Sequence, residues 1–426
     1  MKTNARDFAL SQLDRTHLPG WQSNQLRRVI SAPQDPRDLA LAEQIRVGVI
    51  KNLALLDHLS SHFSNRGKLD PLVRKILAIG LYQIRFLDRI PPSAAVDEAV
   101  EQARRMGRKH AAAFVNAVLR RATREPQVPL PTRDADPMGY AAITLSHPQS
   151  LIKRLIAVVG EHEAIDLCEH DNREPPTLVR LFRGAGIEQL AAAGLTITPH
   201  EFPGLYVVEG ARRATIAEWS ARGIAQVQDA TAAGVIDRMQ LQPNQDILDR
   251  CAGMGTKSLQ IQDYLAPGGW IMAIEPSEVR CDALRALVRD RGIENLAVVQ
   301  ARWLREISEL KRPTFDRILV DAPCSNSGVL ARRPEARYTQ TPAAIESVAK
   351  LQDQILDDTA AYVRPGGQII YSTCSIWPEE NQQRIARFLM EHPEFSEISS
   401  QTVFPSTVND PARYHDGGFT SVLARR

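Results

Sequence analysis

Cysteine is scarce in this chain, and its few positions argue against two common kinds of site. The sequence has five cysteines, at positions 168, 251, 281, 324 and 374. An odd number of widely scattered cysteines is not the pattern of a disulfide framework, so free thiols are expected. No Cys-x-x-Cys pair occurs, and no histidine pair lies at ligand spacing beside Cys324 or Cys374. The pattern therefore predicts no zinc site, and we expect no metal.

Long apolar runs are also missing. The first residues, MKTNARDFAL, lack the apolar stretch of a signal peptide, and no later run is long enough to span a bilayer. We therefore expect a cytoplasmic protein that has no membrane partner. We also expect a monomer.

Charge is nearly balanced overall but unevenly distributed. Residues 1–126 hold 21 Lys and Arg against 12 Asp and Glu, whereas the remainder holds 31 against 38. Basic side chains cluster at positions 27–28, 104–105, 108–110 and 120–121. Together, such clusters are typical of phosphate contacts in a nucleic-acid binder. For any single pair, a solvated helical face is the simpler interpretation.

The 426 residues predict two or three domains, and 43% hydrophobic residues suffice for sizeable cores. Residues 1–125 keep apolar side chains on helical stripes, as at Leu72, Ile76 and Ile79, and predict an all-α domain. A proline-rich linker is predicted at 126–139. Residues 140–222 mix both patterns and predict a small α+β module, and residues 223–426 form the last domain.

The last domain alternates strand, loop and helix. Candidate strands lie at 246–249, 270–274, 296–300, 315–320 and 368–371, and turns rich in proline and glycine at 267–269 and 365–367 feed two of them. This alternation predicts an α/β fold with a doubly wound, largely parallel sheet.

Two cysteines follow strands of this predicted sheet. Cys324 lies in Asp-Ala-Pro-Cys-Ser after the strand at 315–320, and Cys374 lies in Tyr-Ser-Thr-Cys-Ser after the strand at 368–371. Ligands gather at the carboxyl ends of parallel strands, so both thiols are predicted to share one cleft. A thiolate is a strong nucleophile, and a second thiol can help to resolve the adduct. Each cysteine taken alone is more often a small core residue.

A loop of small residues follows the first strand. It consists of Cys251, Ala252, Gly253, Met254, Gly255, Thr256 and Lys257. Such a loop lets backbone amides approach a ligand, although its spacing fits neither a dinucleotide fingerprint nor a P-loop. Glu275 ends the second strand, and it is interpreted equally well as a ligand of a ribose diol or as a surface carboxylate.

These motifs, in this order and spacing, resemble those of the RNA cytosine-5 methyltransferases that use S-adenosylmethionine. The segments that carry the resemblance are 251–257, 315–325 and 371–381. The basic helical N-terminus resembles the NusB-like RNA-binding domain that precedes the methyltransferase in bacterial 16S rRNA (cytosine-5) enzymes of the RsmB/Sun type. Segments 7–10, 73–85, 95–100 and 114–121 carry that part, and segments 223–229 and 416–419 also match the family in style.

The resemblance implies a Rossmann-like class I methyltransferase fold, RNA, chiefly 16S rRNA, as partner, and S-adenosylmethionine as cofactor. It implies that Cys374 adds to C6 of a cytidine, which makes C5 reactive toward a methyl group, and that Cys324 assists release. Asp321 would hold the methionyl part of the cofactor or the cytosine edge. Residues 251–257 would surround the cofactor, and Glu275 would bind its ribose hydroxyls.

The chain departs from the family pattern at several positions. Gly253, Met254 and Thr256 stand where the family has Ala, Pro and Gly, and Arg302 stands at or next to a usual aspartate that contacts adenine. Gln300 is an alternative contact for adenine, and Asn326 varies a small residue after Cys324. The alternative function is therefore an RNA-binding ribosome-assembly protein of the same fold, with methyl transfer weakened or lost. A DNA cytosine methyltransferase is disfavoured, because there a Pro-Cys motif acts without a Thr-Cys partner.

Overall fold

A computed structural model describes residues 4–15, 30–64, 69–265, 268–307 and 314–426. Contacts divide the chain into two compact units. The helical unit comprises Met1–Asn172 and Arg333–Thr339, and the sheet unit comprises Arg173–Arg332 and Gln340–Arg426. The domain limits predicted at 125, 139 and 222 do not coincide with this division and stay predictions. The basic pair at 27–28 lies outside the described residues.

The helical unit is built from amphipathic helices, as the apolar stripes predict. Leu72, Ile76 and Ile79 are all buried in its core. The helices that belong to this unit in the described residues are α1 (Ala5–Arg15), α2 (Pro36–Lys51), α3 (Leu53–Ser64), α4 (Pro71–Phe86), α5 (Pro92–Arg105), α6 (Ala112–Arg124), α7 (Pro137–Gly139), α8 (Gln149–Val159) and α9 (Glu161–Asn172). Helix α4 begins at Pro71 because Asp70 caps it, accepting hydrogen bonds from Leu72 N at 2.9 Å and Val73 N at 3.1 Å.

A short segment from the second half of the sequence completes the helical unit. The turn Pro334–Tyr338 places Arg337 in the interior, where its side chain is 1% exposed. Its guanidinium donates to Asn172 Oδ1 at 2.8 Å and to the carbonyls of Asp171, at 2.5 Å, and of Lys51, at 3.3 Å. Five N–H donors in a planar fork suit this gathering of carbonyl oxygens.

The sheet unit begins with a small antiparallel sheet, in agreement with the predicted α+β pattern. Its strands are ordered β2-β3-β1-β4. The elements are β1 (Leu178–Leu181), α10 (Ile187–Ala191), β2 (Thr196–Pro199), β3 (Leu205–Glu209), α11 (Arg213–Ala221) and β4 (Ala225–Val227). Val179, Val208 and Trp219 form its core.

The strands of the larger sheet are β5 (Asp246–Asp249), β6 (Trp270–Glu275), β7 (Leu296–Gln300), β8 (Phe315–Asp321), β9 (Val363–Thr373), β10 (Phe395–Val403) and β11 (Gly418–Arg425). Their order across the sheet is β10-β11-β9-β8-β5-β6-β7. The helices are α12 (Ala230–Arg238), α13 (Thr256–Tyr264), α14 (Glu278–Asp290), α15 (Pro342–Ala360) and α16 (Gln382–Glu391). Strands β5 to β9 pair in parallel. The predicted α/β fold with a doubly wound, largely parallel sheet is confirmed.

The strand order positions the site. Strand β5 lies between β8 and β6. The chain passes from β5 to β6 and β7 on one side of it, and then crosses to the other side to form β8 and β9. Ligands of open α/β sheets bind where the strand order reverses in this way, beyond the carboxyl ends of the strands. The central strands are buried on both faces, as the fully buried Ile318, Leu319 and Val320 of β8 show.

Two local predictions need correction. The turn expected at 365–367 lies inside β9, where the register against β8 shifts between Phe315 and Arg317, so these residues form an irregularity within the strand. The antiparallel pair β10 and β11 was not predicted. The first residue of the turn predicted at 267–269 lies outside the described residues. Within the described ranges, every helix is too short or too polar to cross a bilayer.

Candidate functional site

The structure brings Cys324 and Cys374 together. Each follows the carboxyl end of one of two neighbouring parallel strands, β8 and β9, in which Asp321 and Ser372 are register partners. The two Sγ atoms lie 3.0 Å apart, and both cysteines are unbridged and half-buried. A hydrogen bond to Cys374 and burial both raise the pKa of the Cys324 thiol well above its ordinary value. Cys324 therefore keeps its proton at neutral pH and can donate it to the Cys374 sulfur.

A buried carboxylate ties the two cysteine turns together. Glu380, with no exposed surface, accepts hydrogen bonds from Ser325 N at 2.8 Å and from Ser375 Oγ at 2.8 Å. Gln352 donates a third, at 3.3 Å. Ser325 and Ser375 directly follow Cys324 and Cys374 in the sequence. Since one carboxylate accepts from both turns, it fixes the separation of the two thiols.

Asn326 approaches the second thiol from the first turn. Its backbone is left-handed, with φ of 62°, a conformation that asparagine tolerates better than most residues that have a side chain. Its Nδ2 donates to the Cys324 carbonyl at 3.1 Å, and its Oδ1 lies 3.3 Å from Cys374 Sγ. The carbonyl of Cys374 in turn accepts from Gly328 N at 2.9 Å. The turn after Cys324 thus holds both the side chain and the backbone of Cys374.

Lys257 and Asp321 form an ion pair beside the thiols. Lys257 Nζ lies 2.6 Å from Asp321 Oδ2. Burial is the largest single influence and opposes the charge of Lys257, but Asp321, together with Cys374 and Asp249, outweighs burial and raises the pKa of the lysine. Both side chains line a cavity of about 60 Å³ that also contains Cys374, Asp229 and Asp416. This part of the site therefore combines a nucleophile with fixed charges of both signs.

The loop after β5 exposes its backbone as the small residues predict. Gly253 and Gly255 have φ of 57° and 83°, and a Cβ built on Gly253 would meet no atom within 4 Å. Met254 and Thr256 leave this space free, since Met254 is exposed and Thr256 begins α13. Cys251 is half-buried, and burial raises its pKa to about 12, so it is a neutral thiol. Ala252 is buried beneath the loop.

Glu275 lies against this loop. It is 4% exposed, so its interpretation as a surface carboxylate is wrong. Its Oε2 accepts from Gly253 N at 3.1 Å and its Oε1 from Ser277 N at 2.9 Å. A carboxylate has about four acceptor positions, so capacity remains for the hydroxyls of a diol.

Asp249 supplies a further acceptor at the end of β5. Its Oδ2 accepts from Ser258 Oγ at 2.6 Å, whereas its buried Oδ1 has no hydrogen-bond partner among the described residues. Burial raises its pKa to about 6. The open backbone at Gly253, the spare acceptor capacity of Glu275 and this orphan oxygen fit a polar cofactor such as S-adenosylmethionine.

Arg302 lies at the end of β7, where its side chain is exposed and its guanidinium is 5.7 Å from the centre of the Trp303 ring. Its backbone N donates to Glu306 at 3.1 Å, and its carbonyl accepts from Arg250 at 2.7 Å. Gln300 is the register partner of Glu275, and its amide reaches the Pro276 carbonyl at 3.5 Å. Neither side chain is withdrawn into the core, so both remain candidates for the adenine contact.

Sequence reasoning gave no role to Glu380, Asn326 or Asp416, although all three lie in or beside the motifs. Asp416 Oδ1 accepts from Tyr414 at 2.9 Å, and its Oδ2 accepts from Arg332 at 2.6 Å. Burial and the Asp229 carboxylate raise its pKa to about 7. The signal in the sequence that could have indicated Asp416 was an acidic residue next to two glycines in the motif at 416–419. Among the described residues, no group of three or more His, Cys, Asp or Glu is placed to hold a metal ion.

The fold agrees with comparisons to known proteins. A family model described as 16S rRNA methyltransferase RsmB/F matches residues 237–413, and the NusB family model matches residues 3–124. The chain is 30% identical to the probable ribosomal RNA small subunit methyltransferase B of Bacillus subtilis, over 96% of this chain and 93% of that protein. It is 30% identical to the ribosomal RNA small subunit methyltransferase B of Citrobacter koseri over 100% of both chains.

A solved structure, that of PH0851, superposes with a TM-score of 0.74 and covers 92% of this chain and 91% of its own. Its sequence identity to this chain is 22%, so this likeness shows the fold alone.

The two glycines of the loop after β5 predict different responses to alanine. A Cβ at Gly255 would lie 2.3 Å from Leu284 Cδ1, whereas one at Gly253 meets open space. Both substitutions strain a left-handed backbone, but only Gly255→Ala adds a core clash. We expect Gly255→Ala to lower the free energy of unfolding by about 1–3 kcal/mol more than Gly253→Ala. Urea unfolding of the full chain measures both, and equal losses would contradict the described packing.

Proposed function

Because the chain belongs to the RsmB/F family of 16S rRNA methyltransferases, we propose that it methylates C5 of a cytidine in 16S rRNA, with S-adenosylmethionine as methyl donor. The observation that carries this proposal is the pair of thiols 3.0 Å apart, beside the Lys257–Asp321 ion pair. A site for methyl transfer to an oxygen or an amine has no use for two adjacent thiols, whereas C5 of cytosine needs covalent activation.

Cys374 supplies that activation. Its sulfur adds to C6 of the ring, and the electron pair of the C5–C6 double bond moves onto C5 and the conjugated ring. S-adenosylmethionine, when bound, supplies an electrophilic methyl group for this carbon. A water molecule then accepts the C5 proton, which restores the double bond and expels the Cys374 sulfur. The protonated Cys324 thiol, 3.0 Å away, is placed to donate its proton to that sulfur as the bond to C6 breaks.

The remaining residues would bind and orient the cytosine, the cofactor and the RNA. Asp321 is half-buried at the end of β8 and is placed to accept from the amino group of cytosine or to hold the methionyl part of the cofactor. Lys257 balances its charge. Gly253 and Glu275 would hold the cofactor through the open backbone and the ribose hydroxyls, with Arg302 or Gln300 at its adenine. The basic N-terminal helices would bind RNA through its phosphates.

The alternative function is an RNA-binding protein of ribosome assembly that has lost methyl transfer. The observation that favours it is the departure at Thr256 and Arg302, where the family has glycine and an acidic residue. The two functions differ in whether the altered loop binds the cofactor.

We expect the wild-type chain to bind S-adenosylmethionine and S-adenosylhomocysteine in calorimetric titrations. Glu275→Gln removes a charged acceptor, and a hydrogen bond to a charged group contributes about 1.5–3 kcal/mol, so affinity is expected to fall roughly 10- to 150-fold. Glu278→Gln is the matched control, because Glu278 is exposed on the following helix. No binding heat from the wild type would favour the RNA-binding alternative.

Substitutions of the two cysteines are expected to block the reaction at different steps. Cys374→Ala removes the attacking sulfur and should abolish transfer of tritiated methyl to 16S rRNA. Cys324→Ala leaves attack intact but slows release, so a covalent protein–RNA adduct should accumulate as a slowed band on a denaturing gel. Cys168→Ala is the control, because Cys168 is buried on α9 in the helical unit. If neither variant changes methyl transfer or adduct formation, the assignment of the thiols is wrong.

A further inference from the structure

A groove in the sheet unit adjoins the catalytic cavity. It has a volume of about 710 Å³, within the range of ligand sites, and it is bounded by the turn at 200–203, by α12 and by the connection between β10 and β11. Thr231 lines both the groove and the cavity of Cys374. The segment 415–418 borders both spaces: Asp416 and Gly417 line the cavity, and His415 and Gly418 line the groove. The cavity and the groove are therefore neighbouring spaces that share part of one wall.

The side chains that line the groove are of the kinds that bind single-stranded nucleic acid. Phe202 and Phe404 offer aromatic faces, and Phe404 is 37% exposed although it is a large apolar residue. Arg238, Arg413 and His415 line the same groove, and Glu201, the acidic residue among its lining, pairs with Arg413 at 3.1 Å. Aromatic faces stack on bases of any sequence, and basic side chains contact phosphates. This combination fits an oligoribonucleotide better than an acidic or apolar peptide.

Hydrogen bonds hold the groove in shape. The connection between β10 and β11 is fixed by Arg173, which donates to the Thr407 carbonyl at 2.7 Å, and by Glu201 N, which donates to the Ala412 carbonyl at 2.8 Å. Ser406 lines the groove, and its buried hydroxyl has no hydrogen-bond partner among the described residues. Buried hydroxyls normally have a hydrogen-bond partner, so this one is an unused polar group beside the groove.

We propose that this groove binds the unpaired nucleotides that flank the target cytidine, with a base stacked on Phe404 and phosphates at Arg238 and Arg413. The proposal rests on the proposed function, because it takes RNA as the substrate. It adds a binding surface in the sheet unit that is separate from the basic helices of the N-terminal part.

Binding of a fluorescein-labelled oligocytidylate to the full chain tests the groove without requiring methyl transfer. Stacking of one base contributes about 1–3 kcal/mol, so Phe404→Ala should weaken binding roughly 5- to 150-fold. Arg238→Ala should weaken it and reduce the slope of log affinity against log salt by about one phosphate contact. Met390→Ala and Arg289→Ala are matched controls, because Met390 is 84% exposed and Arg289 is also exposed, and neither lines the groove.

A crosslinking arm locates the RNA. An oligocytidylate with one 4-thiouridine, irradiated on the wild type, should crosslink to peptides that contain residues 200–203 or 401–415. Unchanged affinity in both groove variants, or crosslinks confined to other peptides, would overturn the proposal and leave a protein segment as the occupant. If oligocytidylate binds through the groove but no methyl is transferred to rRNA, the proposed function fails while the groove stands.

A different observation supports a second inference, about Asn326. Its Nδ2 donates to the Cys324 carbonyl, which fixes the orientation of the amide and turns Oδ1 toward Cys374 Sγ at 3.3 Å. An amide oxygen accepts a hydrogen bond from a thiol but repels a thiolate. We propose that Asn326 is a positioning residue that holds the Cys374 sulfur in one orientation before substrate binds, through the hydrogen bond that its amide oxygen accepts from the thiol.

Alkylation of Cys374 by iodoacetamide, followed by mass spectrometry of its peptide, tests this inference. Glycine accepts the left-handed backbone at 326, so Asn326→Gly should fold. Loss of a hydrogen bond of about 0.5–1.5 kcal/mol predicts alkylation roughly 2- to 12-fold faster at neutral pH, with the pH profile displaced to lower pH. Asn326→Asp, which adds a negative charge, should displace it to higher pH. The other titratable groups near the sulfur, Cys324, Lys257, Asp321, Asp229 and Asp416, stay the same in both variants.

The matched control is Asn244→Gly, which replaces another left-handed asparagine, with φ of 64°, in the turn before β5. It should leave the alkylation profile of Cys374 unchanged. If Asn326→Gly also leaves the profile and the rate unchanged, Asn326 does not position the thiol. This readout does not depend on methyl transfer, so its result is separate from that of the proposed function.

Discussion

The arrangement of the site depends on one buried carboxylate. Glu380 accepts hydrogen bonds from the turns that follow Cys324 and Cys374, and it has no exposed surface. A charge in such a position is tolerated only when donors surround it, and here backbone, hydroxyl and amide donors do so. The parallel strands β8 and β9 bring the turns to one edge of the sheet, but strand pairing alone fixes only the backbone. Glu380 sets the distance at which two thiols can exchange a proton.

The loop after β5 shows which changes of residue type the fold tolerates. Gly253 and Gly255 have left-handed backbone conformations, whereas Met254 between them points to solvent and tolerates a change of residue type. Arg302 is similar, because its backbone is anchored by Arg250 and Glu306 while its side chain remains exposed. In each case, the backbone that would contact a ligand is retained although the side chain differs.

Much of this fold was predictable because its strands are buried. Strands β5 and β6 are almost entirely buried and lie within one residue of their predicted bounds, and the loop after β5 and the end of β6 carry the residues predicted to bind a ligand. Strand β10 was missed because most of its residues are polar and exposed, so it lacks an apolar pattern. The roles of Glu380 and Asn326 were also missed. A glutamate is usually solvated, and only tertiary contacts show that this one is enclosed by hydrogen-bond donors.

The path of the chain through the helical unit limits how the two units can evolve. Residues 333–339 belong to that unit although the residues before and after them belong to the sheet unit. Arg337 supplies donors to carbonyls that lie near 51 and 171. A recombination event with a single junction would join residues 333–339 of one gene to the helical unit of another, so the donor at 337 and the carbonyls that need it would come from different parents. Exchange of the N-terminal half between related genes therefore has to be accompanied by matching changes in seven residues more than 150 positions downstream.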